Sequence, residues 1–180
     1  MRTTPNITGF SLIELLLTLT IISIISVFAL PNFGNLTDIR RLKSAVRDLQ
    51  TSINLTRSLA IRQGTTITLC IKNRLSTSPQ CSPSGQAQGN WASGWLIFRD
   101  LNNNRQRDKN EPLLSNNTAV KFIGIQSNSQ KSLVQITALG ASILSNQTWE
   151  FCLNGKRESR GFQLILSSPG QIRPVKINSC

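Results

Sequence analysis

Residues Phe10–Leu30 form an apolar run of 21 positions that carries one charge, Glu14. A stretch of that kind has few fates. At about 1.5 Å of rise per residue, a helix of this length reaches roughly 30 Å, the thickness of a bilayer core. A secretory signal has a shorter apolar region followed by a small-residue cleavage site. Here the run continues into Pro31 with no A-x-A pattern. The segment reads as a membrane helix, and Arg2 with the amino terminus favours a cytoplasmic leader and an outward-facing remainder. Glu14 is the oddity. A carboxylate at that depth costs about 2–3 kcal/mol on insertion scales, so it either snorkels to the interface or answers a cation there. Pro31 is expected to kink or locally melt the helix.

Beyond Gly34 a helical period resumes. Leu42, Val46, Leu49, Ile53 and Leu59 share one stripe, the face expected to pack on a globular domain. Arg40, Arg41, Lys43, Arg47, Arg57 and Arg62 lie mostly elsewhere and read as a solvated face. Gly64 is a suitable helix end. The period then changes to two. Residues 65–72 and 94–99 read as strands, with a Ser/Gly/Gln/Pro-rich loop over 73–90 between them. Further strands are expected near 119–126, 132–138, 148–153, 160–167 and 171–177, an antiparallel sheet or sandwich with Pro174 on an edge.

Composition narrows the chemistry. The chain has 20 Lys and Arg against 8 Asp and Glu, no His and no Tyr. Sites of the Ser-His, Cys-His or His–zinc kind cannot be built. With no cofactor loop and no nucleophile–base pair either, neither an enzyme nor a bound cofactor is expected. The net charge of +12 points to an anionic partner, or else to a well-solvated basic surface. Cys70, Cys81, Cys152 and Cys180 form no CxxC pair, so two disulfides are expected rather than zinc. Of the three possible pairings, Cys70–Cys81 with Cys152–Cys180 is favoured, because each closes one loop or sheet edge. Disulfides place the folded part outside the reducing cytosol.

One segment resembles a calcium loop. From Asp100 to Glu111, oxygen-bearing side chains fall at positions one, three, five, nine and twelve. Arg105 stands where an EF-hand needs glycine, and Arg107 and Lys109 add further cations. A polar hairpin loop with Asx turns fits better, and no metal site is expected.

Two motifs carry a family resemblance. Gly9-Phe10-Ser11-Leu12-Ile13-Glu14 resembles the G/F-[ST]-L-x-E motif of type IV pilins and type II secretion pseudopilins. Trp91-Ala-Ser-Gly94-Trp95-Leu-Ile-Phe98-Arg-Asp100-Leu-Asn102, with Glu111-Pro-Leu-Leu downstream, resembles the signature of FimT/GspH-like minor pilins. The resemblance implies an α+β fold, a long amino-terminal helix on a β-rich domain of antiparallel strands. It divides the chain into a leader (1–9), a transmembrane and assembly helix (10–31), its amphipathic continuation (32–63) and a globular domain (64–180). It implies that a prepilin peptidase cuts between Gly9 and Phe10 and methylates Phe10, and that Glu14 pairs with the new terminus of a neighbouring pilin subunit. The subunit would reside in the inner membrane as a single-pass protein with a periplasmic domain, and at the pilus or cell surface after assembly. The tryptophans are then expected in the core.

Some FimT proteins bind DNA through a carboxyl-terminal G-R-x-R motif. This chain has Gly170-Gln171-Ile172-Arg173 there, with Gln171 in place of the first arginine. Lys156, Arg157, Arg160 and Lys176 complete a segment with one acid, Glu158. The expected function is non-specific binding of double-stranded DNA through its phosphates, for uptake in natural transformation. The alternatives are a structural or priming minor pilin, and a GspH-type pseudopilin of a type II secretion system.

Overall fold

Gly64 divides the chain into its two regimes of backbone geometry. The computed structural model describes residues 9–83, 89–128, 130–142, 146–155 and 160–180, with backbone alone at 27–33 and 35. The helix α1 spans Leu12–Gln63. Gly64 then adopts φ +62°, and Thr65 N donates back to Ala60 O, which closes the helix in a Schellman-type cap. The backbone stays helical through Pro31, so the expected local melting does not occur; the proline removes one donor, and the bonds on either side carry the helix on.

The chain clusters into two units, up to Ile39 and from Arg40 onward. In the first, apolar side chains such as Phe10, Leu12 and Ile13 are exposed. The hydroxyls of Thr18, Thr20, Ser23 and Ser26 donate to carbonyls three or four residues earlier, so these polar groups are satisfied within the helix itself. Among the described residues, no helix is long and apolar enough to cross a membrane.

The second unit holds the core. The stripe Leu42, Val46, Leu49, Ile53 and Leu59 is buried, as expected from its spacing. Among the described residues, eight strands follow in two antiparallel sheets. The first sheet has the order β3-β2-β1-β5, built from β1 (Ile67–Ile71), β2 (Trp95–Arg99), β3 (Leu113–Asn116) and β5 (Leu133–Ile136). The second has the order β4-β6-β7-β8, built from β4 (Ile123–Ser127), β6 (Gln147–Leu153), β7 (Gly161–Leu166) and β8 (Ile172–Ile177). Strand β3 was not expected. It is short, lacks alternation, and owes its existence to pairing with β2 across a register shift.

Both faces of β1 are buried. Ile67, Leu69 and Ile71 join the main core with the α1 stripe, while Cys70 packs with Leu96, Phe98 and Cys81 in a smaller cluster. The Cys70–Cys81 disulfide lies in that cluster, and Cys152–Cys180 is the second disulfide. Trp91, Trp95 and Trp149 are fully buried, with Trp91 and Trp149 in edge-to-face contact at 5.5 Å.

The Asp100–Glu111 segment is a hydrogen-bonded loop. Asn102 and Asn104 accept from the backbone N–H two residues on, as Asx turns do. Both carboxylate oxygens of buried Glu111 accept backbone donors, from Leu101 at 2.8 Å and Asp108 at 3.0 Å, tying the loop ends together. Asp100 Oδ2 accepts from Thr68, Gln135 and the Arg105 amide.

Candidate functional site

Strand β8 is the outer strand of the second sheet, with Pro174 opposite Leu164. An edge position tolerates proline because one side of the strand has no ladder to complete. Its entry is a tight turn. Gly170 N donates to Ser167 O at 2.8 Å, and Ser167 N to Gln171 O at 2.9 Å. Gly170 has φ +80°, and a Cβ there would sit 2.3 Å from Gly140 O. The glycine of the motif is therefore demanded by the turn and by close backbone approach. Arg57 holds the same turn from α1, its guanidinium Nη1 donating to Gly170 O at 3.0 Å. Asn146 holds the far side by accepting from Ser168 N.

This turn delivers Gln171 and Arg173 to one open groove of about 580 Å³ on the outer face of the sheet, which Thr148 and Ile165 also line. Both Gln171 and Arg173 are exposed. Lys176, also exposed, is three residues from Arg173 and so points to the other side of the strand. Arg160 is exposed beside Gly161, which pairs with Ile177 at the far end of β8. The described members of the expected cluster are thus spread over both faces and both ends of the edge. Glu150 is an exposed acid of the outer face, where it accepts from Gln163 at 2.8 Å. Lys156 and Arg157 lie outside the described residues.

Arg57 was expected on a solvated face with the other basic residues of α1. Arg40, Arg41, Lys43, Arg47 and Arg62 are indeed exposed, but Arg57 is half-buried and structural. Nothing local marks it, since its partner is 113 positions away. At the amino-terminal end, Gly9 and Phe10 precede α1, and Glu14 lies in its first turn, where Glu14 N donates to Ser11 O. Phe10 and Glu14 are exposed.

An apolar amino-terminal helix whose continuation packs on antiparallel sheets, headed by this motif, defines a pilin-type subunit. The chain belongs to the GspH family: the family described as type II transport protein GspH matches residues 45–170, and the prokaryotic N-terminal methylation motif matches residues 5–30. The fold is similar to that of the type IV minor pilin FimU of Pseudomonas aeruginosa, at 21% identity and a TM-score of 0.60, over 81% of this chain and 98% of that one. It is also similar to the minor pseudopilin EpsH of the Vibrio cholerae type 2 secretion system, at 9% identity and a TM-score of 0.53, over 75% of this chain and 96% of that one. No curated protein matches the chain. The family and fold are those of structural pilin subunits rather than enzymes.

Proposed function

We propose that the chain is a membrane-anchored minor pilin that captures DNA non-specifically through the outer edge of its second sheet. One observation carries this reading. A turn fixed by Gly170 and Arg57 presents Gln171 and Arg173 together on an open groove of a chain with net charge +12. Arg173 supplies a charged phosphate contact, and Gln171 supplies a neutral donor. Among the described residues no groove-reading element accompanies them, so sequence specificity is not expected. The test is the salt dependence of duplex binding by the full chain in a non-ionic detergent. Binding should be measurable at about 50–100 mM salt and fall steeply above it. Arg173→Ala should weaken it and flatten its dependence on salt. Absence of wild-type binding in that range sinks the reading.

The anchor belongs to the same proposal. Cleavage between Gly9 and Phe10 by a prepilin peptidase frees a cationic terminus four residues from Glu14. In low dielectric that cation and the carboxylate of a neighbouring subunit attract strongly. Among the described residues nothing lies within 4 Å of a Cβ built on Gly9, so packing does not call for glycine there; recognition by the peptidase does. The apolar run would hold the subunit in the inner membrane, its second unit facing the periplasm until assembly.

The family description favours a second reading, a secretion pseudopilin handling protein substrates. Genes for a secretion outer-membrane channel beside this one, and none for a pilus, would favour it over DNA capture.

A further inference from the structure

Phe122 holds a backbone conformation that a bulky side chain rarely adopts. Its φ is +66°, in the left-handed region. Burial does not explain it, because the residue is 66% exposed. Strain of this kind at a solvent-facing aromatic marks a side chain placed for contact. The placement is firm: Asn154 N donates to Phe122 O at 3.1 Å, and the next residue, Ile123, opens β4 opposite Leu153. Two cations adjoin Phe122. The Arg41 guanidinium carbon lies over the ring, 5.5 Å from its centroid, and Lys121 is exposed beside it. These three residues line a groove of about 280 Å³ that also contains Asp48, seven residues and so about 10 Å along α1 from Arg41.

We propose that Phe122 is a stacking platform for an unpaired base of single-stranded nucleic acid, with Arg41 and Lys121 meeting the flanking phosphates. Sites for single strands combine these two parts, an aromatic face that any base can stack on and cations that follow the backbone. Arg41 covers one face of the ring, and the exposure of the residue leaves the other for a base. Asp48 repels a polyanion farther along the groove, which confines phosphates to the Arg41 and Lys121 end. A duplex keeps its bases stacked on one another and cannot use the ring. The site is separate from the β8 groove. Phe122 adjoins β4 and Arg173 lies on β8, at opposite edges of the second sheet, three strand spacings or roughly 14 Å apart. The proposal therefore stands independently of the reading given for Arg173.

The test is fluorescence anisotropy with the full chain in non-ionic detergent, against a labelled oligothymidine strand and a duplex of equal length. Phe122→Ala should weaken strand binding about tenfold and duplex binding less than about twofold. Phe122→Trp should retain strand binding and show indole quenching when the strand is added. Phe122→Gly relieves the backbone, so it should melt at or above the wild-type temperature and still lose strand binding. Arg173→Ala should leave the effect of Phe122→Ala on the strand unchanged. The proposal is overturned if the wild type does not bind the strand, if Phe122→Ala binds it as the wild type does, or if strand and duplex lose equally. It is also overturned if Phe122→Gly lowers the melting temperature, which would make the ring a packing residue. Unchanged strand binding with poor incorporation into filaments would assign Phe122 to a neighbouring subunit instead.

Discussion

Arg57 of α1 donates its guanidinium Nη1 to the carbonyl of Gly170 at 3.0 Å, across 113 positions of sequence. The contact couples the helix to the turn that launches β8. Arg57→Ala should cost about 1–2 kcal/mol in urea unfolding, a charged donor lost from a half-buried site. It should also weaken duplex binding, although Arg57 does not line the groove. Faster amide exchange at Gly170 and Gln171 would locate the effect, and unchanged exchange there would contradict it.

Gln171 is the one neutral residue where a second arginine would stand in a G-R-x-R sequence. Gln171→Arg should tighten duplex binding roughly 5–10-fold near 0.1 M salt and steepen the log–log salt slope by about 0.9. Arg173→Ala should reduce that slope by about the same amount. Titration at several salt concentrations measures both changes.

Glu111 closes its loop with two backbone donors while buried. Glu111→Gln keeps one acceptor and turns an NH₂ group toward the other amide. The expected loss is about 1.5–3 kcal/mol, read as a lower urea midpoint at unchanged m-value.

The two disulfides should differ in weight. Cys152–Cys180 spans 28 positions and Cys70–Cys81 spans 11. On loop entropy alone, paired alanine substitutions should cost about 3–4 kcal/mol for the first and about 2–3 kcal/mol for the second. Thermal melts of the two double variants give the comparison.

Glu14→Ala should leave the subunit in the membrane fraction and deplete it from sheared filaments. Normal recovery in filaments would show that the carboxylate only reaches for the interface.

Much of the fold was legible because its signals are local. The stripe from Leu42 to Leu59 has helical spacing, and seven of the eight strands among the described residues sit in segments that alternate or are rich in β-branched residues. Strand β3 escaped because Leu113-Leu114-Ser115-Asn116 has no period of its own and is paired only through β2. The basic edge at β8 was half legible. A run of basic residues near the carboxyl terminus is visible in the sequence, but the strand pleat sends Arg173 and Lys176 to opposite faces. Phe122 was missed altogether, since an exposed ring at positive φ leaves no pattern in a list of residues.

The sequence by itself determined the apolar amino-terminal helix, the motif at Gly9–Glu14, the amphipathic continuation and a disulfide-bearing β domain, because each follows from spacing and residue type within a short window. Only the tertiary structure decided which polar side chains share a surface. Gln171 and Arg173 meet in one groove because Gly170 packs against Gly140 O and accepts from Arg57, and Phe122 meets Arg41 because α1 passes the start of β4. These are contacts between distant parts of the chain, set by sheet register and helix packing, and no local pattern encodes them.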